Sequence, residues 1–546
     1  MPMSRRFSHT LFKTISLTCV SVFLGWGLAN ASDQFAEKTV RRPAEVQRDF
    51  PVPSDRILVS GFTFSGNVSL STAELQVLLS GYVGQSCDLQ KLREAASTVT
   101  DAYRRRGMTL AKAYVPPQKI EGGVVNISVL EGRIGVLSVE GNRNYSTGFV
   151  RNILTSGHPE RALTVEQLEK GLLLLNSNFA DLKATANFSP GKEPGTSDVV
   201  VRVEDRSPFH VTLSGNNYGS EYVSRFRYSV QAEWVDALIS GAHLAVSTTL
   251  GENIDDMNVV SGSYTFPVNS VGTMIALSAF DGNFDIGKDF AELGIHNEET
   301  SWDIGISHPL FKRRHATLTG KIGFRSSDAR YYLLDELSSR DHVRVVYAQL
   351  QADQVFLGGR NFYDLTVSRG IGSALGGSGK EENIPTSRAF ASNDFTRINL
   401  GIARYQPLSD VFSAVVRISG QWSDDNLVAG EQWLIGGVNS VHGYALGEAS
   451  GDKGYLTSLA LRVSPLVKKD LLQFAAYLDY GYSSSKYFVE GSKRQHELAG
   501  FGFGVASHLD TFASTDLRLD VGFPIDPSSN YLDESPVIYF ETALRF

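Results

Sequence analysis

A chain of 546 residues is too long for one ordinary soluble domain, and only 20% of it is charged. A formal net charge of −8 gives no electrostatic support to nucleic-acid binding. The 51 glycines, 21 tyrosines and mild hydropathy fit a β-rich protein whose apolar residues are diluted by alternation, and beyond the N-terminus no stretch is apolar enough for a membrane helix.

Residues 1–31 predict a secretory signal: Arg5, Arg6 and Lys13 are basic, Leu11–Leu28 is mostly apolar, and Ala29-Asn30-Ala31 puts small residues before a cut. Removing it leaves Cys87 alone, so the mature chain has no intrachain disulfide. Residues 32–55 are a polar, proline-punctuated tail in which a short helix over Asp33–Arg48 would be interrupted at Pro43.

Residues 56–132 predict a strand–helix–helix–strand–strand unit. Ile57–Gly66 alternates, and Ser71-Thr72-Ala73-Glu74 reads as a capping box. Leu89, Leu92, Ala96, Val99 and Tyr103 recur at helical spacing, Arg104–Arg106 suit the end of that helix, and Gly107 stops it. Strands follow at Thr109–Val115 and Val124–Glu131. Residues 133–206 repeat the order: a strand at Ile134–Gly141, helices at Thr147–Ser156 and Thr164–Asn178, strands at Leu182–Phe188 and Asp198–Asp205. Gly66-Asn67 and Gly141-Asn142 fall at matching points.

From 207 to 546 helical periodicity disappears, and about sixteen alternating segments predict a transmembrane β-barrel. Phe266-Pro267-Val268, His308-Pro309-Leu310, Gln406-Pro407-Leu408 and Ser464-Pro465-Leu466 mark strand ends ahead of short turns, since proline cannot donate into a ladder. Long loops are expected at the other ends: Asp281–Glu298, Ser327–Asp341, Ser373–Ser392, Asp424–Gly454 and Ser483–Gln495. A soluble β-sandwich is the alternative, its polar face turned to solvent instead of a lumen.

The stretch Gln432–Tyr444 (QWLIGGVNSVHGY) lies between two alternating strands but carries no strand pattern. Trp433, Leu434 and Ile435 are poorly suited to bare solvent, so loop 424–454 is expected to fold back into the barrel. On the later strand Leu471–Tyr482, parity turns Phe474 and Leu478 to lipid and Asp479 to the lumen. An inward acid needs water or a partner, and His442 is the partner expected, with Gly443 allowing the tight turn beside it. Arg417, Arg462, Asp516, Arg518, Asp520, Glu541 and Arg545 also fall on inward parity and predict a solvated lumenal network. No metal-ligand spacing, phosphate loop, nucleophile elbow or energy-coupling motif is visible, so neither a catalytic site nor a cofactor is expected.

These residues resemble the outer-membrane transporters of two-partner secretion, the ShlB/FhaC/HecB family, over nearly the whole mature chain. Phe64-Ser65-Gly66-Asn67, Tyr103-Arg104-Arg105-Arg106-Gly107, Val115-Pro116-Pro117-Gln118 and Val129-Leu130-Glu131-Gly132 resemble that family's first POTRA domain. Val441-His442-Gly443-Tyr444 resembles its loop-six motif, Asp479-Tyr480-Gly481 the strand motif that receives the loop, and terminal Phe546 the aromatic end read by the barrel-assembly machinery. The resemblance implies a pore in outer-membrane lipid, with POTRA domains in the periplasm that bind an unfolded exoprotein of adhesin or haemolysin type; Tyr103, Gly107, Pro116, Pro117 and Gln118 carry the client-binding motif. Two features depart from the family pattern. His442 stands where the family has arginine, which implies a looser or pH-sensitive anchor. Only residues 32–55 are available for the family's plug helix and linker. A barrel-assembly insertase and a passive porin are the rival functions.

Overall fold

The computed structural model describes residues 56–546 except 107, 109, 159–162, 180, 194, 206, 380–383, 467–470, 489–492, 511–512 and 526–535. The expected signal, the tail with its helix, and Gly107 therefore lie outside the described residues. The chain divides into two compact units, residues 33–206 and a second that takes in 207–546.

The first unit holds two small α/β folds with the same wiring. In the first, Gly61–Ser65 pairs in parallel with Val124–Leu130, which pairs antiparallel with Lys112–Tyr114. In the second, Arg133–Glu140 pairs in parallel with Thr196–Asp205, and Leu182–Pro190 closes antiparallel. The expected opening strand is split: Ile57–Leu58 leaves the main sheet to pair with Ser86–Cys87. Both halves of the Ser71/Glu74 capping box form at the helix Thr72–Leu78. Asp88 caps the next helix, Leu89–Arg105, whose Leu92, Ala96, Val99 and Tyr103 are buried against the sheet. Cys87 is a free thiol in this core.

The repeat is kept in chemistry as well as in order. Gly66 and Gly141 both adopt positive φ, 79° and 87°, and a Cβ on either would strike a strand carbonyl, Val129 or Val203. The next residue, Asn67 or Asn142, donates to the carbonyl of Leu70 or Tyr145 at 2.9 or 2.7 Å. A carboxylate at the end of the last strand then takes the backbone N–H groups of the turn. Glu131 receives Val68 and Ser69, and Asp205 receives Arg143 and Asn144.

In the second unit sixteen antiparallel strands close into one barrel, and the last, Val537–Arg545, pairs with the first, Phe209–Asn216. Alternation sets the two faces. On the eleventh strand, Phe412–Trp422, the side chains of Phe412, Val416, Ile418 and Trp422 are exposed, as lipid contact requires, whereas Ser413 and Gln421 are buried inward. The terminal residue extends the closing seam: Phe546 N–H donates to the Val211 carbonyl at 2.9 Å.

Three expectations about strand ends change. Ser327–Asp341 is not a long loop. The seventh and eighth strands, Ala316–Leu333 and Glu336–Phe356, run well past the ten or so residues a bilayer needs and join at Leu334-Asp335, both at positive φ. Arg330, Glu336 and Ser338 of this hairpin are exposed, whereas Asp341 is buried and accepts the Ser387 N–H at 2.9 Å. Asp281–Glu298 likewise narrows to the 3-10 turn Lys288–Leu293 between strands that end at Ile286 and resume at Ile295. Pro309 is also not at a strand end; it lies within Ile295–Arg313 at a bulge between Pro309 and Phe311, the other place where a sheet tolerates a missing donor. Pro267 and Pro407 do close their strands, and Pro465 follows one that ends at Val463.

Candidate functional site

The loop between the eleventh strand and the twelfth, Lys453–Val463, turns inward and packs on the barrel's inner wall. Val441, His442 and Tyr444 are fully buried. On the thirteenth strand, Gln473–Ser484, Phe474 and Leu478 are exposed outward while Asp479 and Gly481 are buried inward. There His442 Nδ1 stands 2.5 Å from Asp479 Oδ2, and the His442 backbone N–H reaches the same oxygen at 3.2 Å. The imidazole stacks on Tyr477 at 4.4 Å and meets Tyr539 edge-on at 5.9 Å.

The rest of the motif is held by main-chain and hydroxyl groups. Gly443 N–H donates to the Tyr539 hydroxyl at 3.0 Å, which itself donates to the Tyr444 carbonyl at 2.8 Å. The Tyr444 hydroxyl donates to the Ala499 carbonyl at 3.0 Å. Gly443 sits at φ 91°, and a Cβ there would fall 2.4 Å from the backbone of Phe523. The wall answers with glycines of its own. Gly481, Gly500 and Gly522 occupy inward positions on three successive strands, and Cβ atoms on them would meet Val441, the His442 carbonyl and Gly443 N at 2.9, 1.9 and 2.4 Å. The loop backbone therefore lies directly on the wall backbone, which side chains would prevent.

The inward charges divide into two groups. Arg518 Nε is 2.5 Å from buried Asp520, and its guanidinium lies 6.0 Å from the Tyr477 ring that stacks on His442. Glu541 accepts from the Tyr218 hydroxyl at 3.2 Å, and Arg417 and Arg462 are half-buried on the same inner face. Asp516 and Arg545 instead lie by the short turn end of the barrel, the first with His508 at 2.7 Å and the second with Glu233 at 3.1 Å, both largely exposed. They belong to the rim, where parity alone had placed them in the lumen.

In the first α/β domain the motif residues are partly structural. Tyr103 is fully buried and donates to Glu131 at 3.0 Å, so it offers a client no surface. Burial, then the Glu131 carboxylate, push its hydroxyl pKa up. For Glu131 itself burial pulls upward, but the Ser69 N–H and hydroxyl, the Val68 N–H and Tyr103 outweigh it and hold the carboxyl below its usual range. The Gln118 amide pairs with the Asn126 main chain in both directions at 2.8 Å, continuing the sheet beside half-buried Pro116 and exposed Pro117. Lys112–Tyr114 and Leu182–Pro190 are edge strands of their sheets.

Several contributors were not singled out from sequence: Tyr477, Tyr539, Gly500 and Gly522. A usable signal was present, because all four fall on inward parity in the strands that face the loop.

A barrel closed in the membrane, a loop seated on its inner wall and small α/β domains ahead of it define an outer-membrane transport pore. The haemolysin secretion/activation protein ShlB/FhaC/HecB family profile matches residues 195–507, and the ShlB-type POTRA profile matches 57–132. The chain belongs to the ShlB/FhaC/HecB family; it is a two-partner secretion transporter of the outer membrane, with its POTRA domains in the periplasm. Among its relatives, the heme/hemopexin transporter protein HuxB of Haemophilus influenzae is 23% identical over 528 residues, covering 93% of this chain and 90% of that one. The hemolysin transporter protein ShlB of Serratia marcescens is 23% identical over 74% of this chain and 72% of its own. The solved structure of CdiB from Escherichia coli shares the fold, with a TM-score of 0.75, 20% identity and 93% of each chain covered.

Proposed function

We propose that the seated loop is the resting closure of the pore and that the client is one large, β-rich exoprotein of adhesin or haemolysin type, exported unfolded. The observation that carries this is the contact between His442 and Asp479, which holds the loop inside the barrel. The outer edges of Lys112–Tyr114 and Leu182–Pro190, beyond the Ala113 N–H held by Thr100 and the Ala184 main chain held by Asn176, are offered to an extended segment at the client's N-terminal end, and strand addition is the recognition mode that suits an unfolded chain. Pro116, Pro117 and Gln118 extend the first of these edges. Passage needs no catalysis by the pore, because folding of the client outside supplies the drive as its apolar surface is buried.

The test is the culture supernatant of cells with and without this gene. One large protein missing from the deletion strain supports the reading. Depletion of many outer-membrane proteins would instead support an insertase, and altered solute uptake alone a passive porin.

A further inference from the structure

The inward loop is built in two parts of unlike strength. Its root is a short antiparallel ladder, Trp433–Ile435 against Ala449–Gly451, flanked by two buried acids. Glu431 stands between two arginines of the barrel wall. Arg325 of the seventh strand donates to it, and Arg397 of the tenth strand, Thr396–Pro407, forms an ion pair with it at 2.5 Å. The Glu431 carbonyl also accepts from Gln421 at 2.9 Å and Arg397 at 3.2 Å. At the returning end, Asp452 pairs with Arg388 at 2.5 Å and accepts the N–H groups of Leu427 and Lys486 at 2.9 and 2.7 Å. Both acids are therefore tied to arginines, which stay charged throughout the physiological range.

The tip between these ends is held differently. His442 with Asp479 is its one charged pair among the described residues; Gly443 and Tyr444 add neutral hydrogen bonds, and Val438 and Val441 pack against apolar side chains of the wall. Glycines at positive φ stand at both junctions, Gly436 and Gly437 at 108° and 97° on the way in and Gly447 at 65° on the way back. A hinge needs a few positions that absorb large φ/ψ changes, and these are placed where tip meets root.

We infer that Glu431, with Arg325 and Arg397, is a positioning residue that fixes the loop root to the wall, so that only the tip Gly436–Gly447 swings to clear the lumen. The inference rests on the reading that this loop closes the pore, and goes beyond it by assigning what moves and what stays. Losing the His442 contact frees the tip while the ladder stays zipped. Losing the Glu431 carboxylate takes from two half-buried arginines the acid they share and undoes the root itself.

The experiment uses the full-length protein in whole cells with Cys87→Ser, carrying single cysteines at the tip (Ala445→Cys) or the root (Ser450→Cys), and a 5-kDa polyethylene-glycol maleimide as probe, a size on the order of a small folded domain. Heat-modifiability on gels confirms a folded barrel. His442→Ala is expected to raise tip labelling several-fold and leave root labelling unchanged, whereas Glu431→Gln raises both. Equal exposure of tip and root by His442→Ala overturns the inference, and this arm decides alone if Glu431→Gln does not assemble. Continued protection of the root in a folded Glu431→Gln barrel overturns it too. Secretion is scored separately: the expected labelling with unchanged export would remove the gating role proposed for the loop and leave the hinge intact.

Discussion

The carbonyl oxygen of His442 lies where a side chain on Gly500 would begin: a Cβ there would stand 1.9 Å from it. Nothing in a contact that close gives way easily, because both partners are backbone. The seated tip depends on this missing methyl as much as on the His442 contact to Asp479.

Gly500→Ala is therefore expected to unseat the tip while the barrel still closes. Overpacking of this kind costs about 1–3 kcal/mol, or roughly a 5- to 150-fold shift from seated to unseated. Single-channel recordings should show open events at least as frequent as those of His442→Ala, with heat-modifiability unchanged. A quiet Gly500→Ala channel would mean that the tip rests elsewhere.

The His442 side chain holds Asp479 through a single ring nitrogen, where a guanidinium could hold it through two. The groups facing His442 are Asp479, Tyr477 and Tyr539, with Arg417 and Asp520 within electrostatic reach of that set. His442→Arg is expected to lower the frequency of opening. Single-channel conductance checks this; opening as frequent as in the unaltered protein would contradict the account.

Acid should loosen the first POTRA domain before the barrel. The Ser71 backbone N–H, then Arg106 at 2.6 Å, hold the Glu74 carboxyl down to about 2 from 4.5. A folded-state pKa below the unfolded one stabilises above the unfolded value, and that stabilisation is lost as pH falls from about 4.5 toward about 2. Glu131, also held low, acts in the same direction. Hydrogen-exchange protection over Thr72–Leu78 in the full-length protein should fall in this window, and Glu74→Gln should lower it at neutral pH as well. Protection that is flat with pH would contradict the assignment.

The second POTRA domain offers a test of client capture. Phe188 is exposed on the edge strand Leu182–Pro190. Lysine on an edge discourages strand addition, so Phe188→Lys is expected to reduce secretion several-fold and leave conductance untouched. Unchanged secretion would move the capture site to another edge.

Much of this was legible because each feature had a local cause. Alternation showed which way Asp479 points, the Ser71/Glu74 spacing announced a capping box that forms in full, and apolar Trp433–Ile435 called for a buried loop. What escaped was set by distant partners or by space. The adjoining ends of the seventh and eighth strands, Ser327–Asp341, read as a loop because their polar residues break the pattern of a lipid-facing strand. Glu431 takes its meaning from Arg325, 106 positions away. Gly500 and Gly522 matter for atoms they lack, and no propensity records that.

The most direct measurement places a photo-crosslinking residue at Arg417, on the inner wall, in cells that are actively secreting. The account predicts an adduct with the same large protein that vanishes from the supernatant when the gene is deleted, and more of it when His442→Ala frees the tip. Adducts only to the pore's own loop during active secretion would contradict a route through the lumen.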